Sequence, residues 1–150
     1  MNWSVICSAL SAINWSVFWA ALSAVFTGLT AFIALRAMVK WRKQEELKAK
    51  LNFKMAIADY AFQLTQMPEK LDQPHIRNSQ VENCKQLTRL LSGCNNSWVI
   101  CEGLLEKNKS VAEAWRYIFE SNKHYYQGDL NKSAIGEKCM VILNQKFVFD

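Results

Sequence analysis

The sequence predicts an all-α chain: an N-terminal transmembrane helix continuing into a long stalk helix and a small cytosolic helical bundle. Three observations lead there. Residues 1–35 contain no Asp, Glu, Lys, Arg or His, so all 18 basic and 13 acidic side chains lie in residues 36–150. Neither Gly nor Pro interrupts the chain between Gly28 and Pro68. Beyond residue 50 the apolar residues recur at helical spacing, and strand-like runs are confined to WVIC (98–101) and FVFD (147–150). Three segments follow: tail and span at 1–35, a basic juxtamembrane stalk at 36–54, and a cytosolic helical domain at 55–150.

The tail and the start of the span carry an echo. Asn2-Trp3-Ser4-Val5 returns as Asn14-Trp15-Ser16-Val17. Twelve helical residues turn about 1,200°, leaving the copies roughly 120° apart, so the repeat lengthens the segment and does not duplicate a binding face. From Trp15 to Leu35 run 21 uncharged residues. A hydrocarbon core needs about 20 in a helix, and an isolated span must be helical to satisfy its own backbone. Trp15, Trp19 and Trp41 fit aromatic belts at the two interfaces. A cleavable signal peptide would begin with basic residues; here none precedes the apolar run and seven follow it by residue 54. The expected anchor is therefore uncleaved, single-pass, N-terminus out, in the inner (cytoplasmic) membrane. Ala12, Ser16, Ala20, Ala24 and Gly28 recur every four residues, a ridge of small side chains that lets two membrane helices approach closely. A homo-oligomer is the partner it predicts.

The stalk holds the charge asymmetry. Residues 36–54 carry seven basic side chains against Glu45 and Glu46, which matches the net +5 of the whole chain; residues 55–150 hold eleven of each sign. A basic cluster directly after an apolar run suits anionic lipid headgroups, with Arg36, Lys40, Trp41, Arg42 and Lys43 as the contacting residues. Nucleic acid is the poorer partner, because the domain beyond the cluster is neutral. Phe53, Ile57, Tyr60, Leu64, Met67 and Leu71 then form a regular inward row. Leu51, Met55, Ala58 and Phe62 form a second row, and apolar residues on two sides predict a helix enclosed by neighbours. Fewer than three heptads make the first row short for a coiled-coil dimer.

Met67-Pro68 and Gln73-Pro74 end this helix. A second helix is expected over about 76–91, with Val81, Cys84, Leu87 and Leu91 inward, stopping at Ser92-Gly93. Ser97 is the expected cap of a third, with Trp98, Cys101 and Leu105 on one face. Ser110-Val111-Ala112-Glu113 reads as a capping box for a fourth, carrying Val111, Ala114, Trp115, Ile118 and Phe119. A fifth should cover about 130–145, with Ile135, Cys139, Ile142 and Leu143 inward.

Chemistry is sparse. Cys84, Cys94, Cys101 and Cys139 lack the paired spacing of a zinc site, and on apolar helical faces they act as small hydrophobes. Cys7 would lie near the outer leaflet. No phosphate loop, GxSxG or HExxH occurs. No metal, cofactor or catalytic residue is expected, and the chain reads as a non-enzyme. The alternative is a membrane-tethered enzyme whose site is assembled from Cys84, His75 and His124, or from the Tyr125-Tyr126 turn, since such residues need only meet in space.

The uncharged helix followed by RAMVKWRKQEELKAKLNFKMAIADYAFQLTQMPEKL, with Trp41-Arg42-Lys43-Gln44 at its start, resembles small bacterial single-span inner-membrane proteins with a cytosolic helical domain. The likeness covers residues 15–71 and lies in layout. Some proteins of that build serve phage defence or toxin-type systems. The resemblance implies a membrane-anchored interaction or effector protein that oligomerises or recruits a cytosolic protein partner. It implies no catalytic residues.

Overall fold

The computed structural model describes residues 15–101, 103–106 and 108–147. Five helices and no strand are present among them: α1 (Trp15–Thr65), α2 (Pro74–Ser79), α3 (Val81–Ile100), α4 (Lys109–Gln127) and α5 (Lys132–Asn144). The chain divides into two compact units, Met1–Lys43 and Gln44–Asp150. The helix α1 is continuous through the boundary, as the absence of Gly and Pro after Gly28 leads one to expect.

Among the described residues α1 is the one helix long and apolar enough to cross a membrane, and no part of its apolar window is buried. The large side chains Trp19, Phe26, Leu29, Phe32 and Ile33 are all more than half exposed. A core helix of a soluble domain would have this surface covered. The hydroxyls of Thr27 and Thr30 donate to the carbonyls of Ser23 and Thr27, so neither requires water.

In the second unit an apolar cluster is built from α1, α3, α4, α5, the connector between α1 and α2, and the segment between α3 and α4. The row Phe53, Ile57, Tyr60, Leu64, Met67 and Leu71 is almost wholly buried in it, so this row serves the fold and leaves no seam for a coiled-coil partner. Phe53 lies edge-on to Trp115 at 5.6 Å and 5.3 Å from Trp98, a geometry favoured by the ring quadrupoles. The second row departs from expectation. Leu51, Met55, Ala58 and Phe62 are all exposed, because every neighbouring helix packs on the first row's side.

Helix boundaries also differ from those expected. No helix stops at Ser92-Gly93: α3 runs through it to Ile100, so Ser97 caps nothing and the WVIC run is helical up to Ile100. The buried face Leu87, Leu91 and Cys94 continues across Gly93, and that packing outweighs the glycine's entropic cost. Val81 is exposed and only half of the expected inward row is fully covered. Asn108, two residues before Ser110, is the cap of α4, its Oδ1 accepting from the Val111 N–H at 3.3 Å. The capping box is therefore not used. Of the FVFD run, residues 148–150 lie outside the described residues, as do Cys7 and Ala12.

The connector between α1 and α2 is held by cross-chain bonds. Lys132 donates from its ammonium to the carbonyls of Thr65 and Met67, and its N–H donates to the carbonyl of Glu69. The Glu69 carboxylate accepts from the Ser133 N–H, placing a negative charge at the start of α5. Arg77 donates to the carbonyls of Leu71 and Gln127, tying the connector to the end of α4. There Gly128 turns left-handed at φ 84°, and the N–H groups of Gly128 and Asp129 close back on Tyr125 and His124.

Candidate functional site

The features with the strongest claim to function sit on the open faces of α1. Ser16, Ala20, Ala24 and Gly28 are exposed, and a Cβ added at Gly28 meets nothing within 4 Å. This face is unobstructed. Arg36, Lys40, Trp41, Arg42 and Lys43 are exposed as well. The Arg36 guanidinium lies 4.9 Å from the centre of the Phe32 ring one turn back, a cation–π contact that keeps its stem along the apolar surface and its charge at the edge. Within the second unit the row Leu51, Met55, Ala58 and Phe62 adds an apolar strip that none of the described elements covers.

The residues of the enzymatic alternative have a different setting. Cys84 is half-buried, and loss of water pushes its thiol above the ordinary range. A nucleophilic cysteine needs the reverse, a cation or helix dipole that favours the thiolate. No hydrogen bond joins Cys84 to His75 or His124, and both histidines are exposed. What surrounds Cys84 is structural: the hydroxyls of Thr88 and Tyr126, 3.0 Å apart, both reach its carbonyl. Tyr125, beside it, donates to the carbonyl of Pro68 at 2.7 Å. These two tyrosines tie α3 and the connector to α4.

Cys94, Cys101 and Cys139 belong to the core. Burial pushes the thiols of Cys94 and Cys139 up to about 12, helped at Cys94 by the Asp59 carboxylate and at Cys139 by Cys94. Cys101 is also raised by burial, and its Sγ reaches the carbonyl of Ala49 at 3.6 Å. Among the described residues no group of three His, Cys, Asp or Glu side chains is arranged to hold a metal ion. An open groove of about 410 Å³ between α4 and α5 is lined by Ser110, Glu113, Ala114, Tyr117, Lys138 and Val141. Its opposite charges, with the Lys138 ammonium 5.5 Å from the Tyr117 ring, give it no single ligand preference.

One polar pair escaped sequence reasoning. The Tyr60 hydroxyl donates to Asn122 Oδ1 at 2.9 Å, fully buried between α1 and α4. Asn122 gives no signal beyond its place on the inward side of α4, between Ile118 and Tyr125. Burial raises the Tyr60 hydroxyl above its ordinary range, so it remains a proton donor at every physiological pH. Comparison with protein-family models, with curated proteins and with solved structures gives no match.

Proposed function

We propose that this chain is a membrane-anchored helical interaction protein, held in the inner membrane by the apolar part of α1 with residues 44–150 in the cytoplasm. It assembles with copies of itself through the small residues of its anchor, and its cytosolic bundle recruits or is controlled by a protein partner. The observation that carries the reading is the apolar window of α1, whose large side chains have no cover among the described residues. Lipid is the solvent such a surface suits. The basic stretch Arg36 to Lys43 adds attraction to anionic headgroups of about 1 kcal/mol for each Lys or Arg near the surface. Phage defence is the setting in which assembled spans would have an output, through disruption of the membrane.

The test is fractionation followed by crosslinking in native membranes. The full chain should resist carbonate extraction and crosslink as a species larger than one copy. Ser16→Leu and Ala20→Leu should each reduce that species several-fold. Unchanged crosslinking in both variants would remove the small residues as the contact, and a chain released by carbonate would remove the anchor.

A further inference from the structure

We propose that the exposed row Leu51, Met55, Ala58 and Phe62 docks against the same row of a second copy, as a parallel two-stranded coil. The inference rests on membrane anchorage, which fixes two copies in the same direction. Leu51, Met55 and Phe62 are 45%, 59% and 69% exposed on a helix whose opposite side is core. The spacing 4-3-4 is that of a coiled-coil seam, with Met55 and Phe62 at a positions and Leu51 and Ala58 at d.

Charge decides the occupant. In a parallel pair each g residue faces the e residue of the next heptad on the other helix. With this register the charged g residues are Lys40 and Lys54, and the e residues they face are Glu45 and Asp59 of the second copy. Both pairs are opposite in sign. An antiparallel pair would set e against e, bringing acidic residues together. Among the described residues the ion pair within the chain is Lys85 with Glu82, so Lys40, Glu45 and Asp59 are uncommitted to one. Lys54 donates to the carbonyl of Gln145 at 3.0 Å and has further donors to spare.

The register extends along the sequence into the anchor. Counting back by heptads from Met55 and Ala58 gives Lys48, Gln44 and Trp41, then Ala37, Ala34, Thr30, Thr27, Ser23, Ala20 and Ser16. From Ser16 to Ala37 every such position is small, and every large apolar residue of that stretch lies off them. Small residues at the seam permit close approach in lipid. Lys48 and Gln44 form two polar layers, which cost stability and fix the register. This seam and the four-residue ridge share Ser16 and Ala20 and then part, leaving Gly28 outside the seam.

The experiment uses the full chain in lipid nanodiscs or bilayers, reading dimer fraction by energy transfer between labelled copies. Wild type should dimerise. Met55→Glu with Phe62→Glu should lower the association constant at least ten-fold at unchanged helix content, since both side chains are exposed. Glu45→Lys should weaken association, and adding Lys40→Glu should restore it. Gly28→Leu should leave it intact. The proposal is overturned by a wild type that is monomeric or pairs only with another protein, by a Met55/Phe62 variant that associates as wild type, or by failure of the charge reversal to rescue. Loss of pairing in Gly28→Leu alone would select the four-residue ridge instead. Failure of the anchor would register separately, as a chain that does not incorporate into lipid.

Discussion

At Gly128 the backbone turns left-handed at φ 84°, and a Cβ placed there would lie 2.7 Å from the Asp72 Cα and the Leu71 carbonyl oxygen. Both obstacles are backbone, so neither can swing aside. Gly128→Ala should therefore lower stability by about 2–3 kcal/mol, the left-handed penalty plus displacement of the connector, read as a fall in the thermal midpoint. Tyr60→Phe tests the buried pair differently. It removes the donor and strands Asn122 Oδ1 without water, at about 1–3 kcal/mol. The thiols of Cys94 and Cys139 set a pH limit. Their ordinary value is 9.0, and in the fold burial holds them at about 12. Above pH 9 the unfolded chain loses protons that the folded chain retains, so the unfolded state binds fewer and stability falls as pH rises. The thermal midpoint should be insensitive to these thiols at neutral pH and decline between about pH 9 and 12. A Cys94→Ala, Cys139→Ala variant, less stable throughout, should lose part of that alkaline slope.

Among elements, α1 shows how far periodicity reaches. Its buried residues Phe53, Ile57, Tyr60 and Leu64 follow from the 4-3-4 spacing, which leaves one side for the core; Met67 and Leu71, which continue the row, are buried beyond the helix end at Thr65. The second row shows where spacing stops: it marks a face as apolar without saying what covers it, and here none of the described elements does. Glycine was the weaker guide. A glycine ends a helix when the backbone there turns left-handed, as at Gly128, whereas Gly93 is among those without a positive φ. Nothing lies within 4 Å of a Cβ added at Gly93, and the position is exposed in mid-helix. Gly93→Ala should accordingly stabilise α3 by about 0.5–1 kcal/mol, visible as a higher urea midpoint at unchanged slope. The start of α4 departs from expectation for a separate reason. Asn108 and Ser110 are both good caps, and the choice fell to the one that lets Val111 enter the core with its N–H already satisfied. As for the candidate site, its small residues and basic cluster were legible in the sequence; the openness of the second row required the fold.

For the whole molecule the governing quantity is the partition of charge. The apolar stretch carries none, the residues from Arg36 to Lys54 carry the net +5, and residues 55–150 balance at zero. Orientation in a membrane is set by Lys and Arg within about 15–20 residues of the span, with acidic residues contributing little. The determinant is thus local: Arg36, Lys40, Arg42 and Lys43 first, then Lys48 and Lys50. Protease added outside spheroplasts should leave residues 44–150 intact in the wild type. Changing Arg36, Lys40, Arg42 and Lys43 together to Gln removes the nearest charges and leaves Lys48 and Lys50 in range. The bias should then weaken without reversing, because residues 1–14 hold no basic side chain to oppose it. A mixed population is expected, with a minor share of chains digested from outside. Complete digestion of the wild type would mean the opposite orientation, and full protection of the variant would mean that folding of the second unit, not charge, holds it inside.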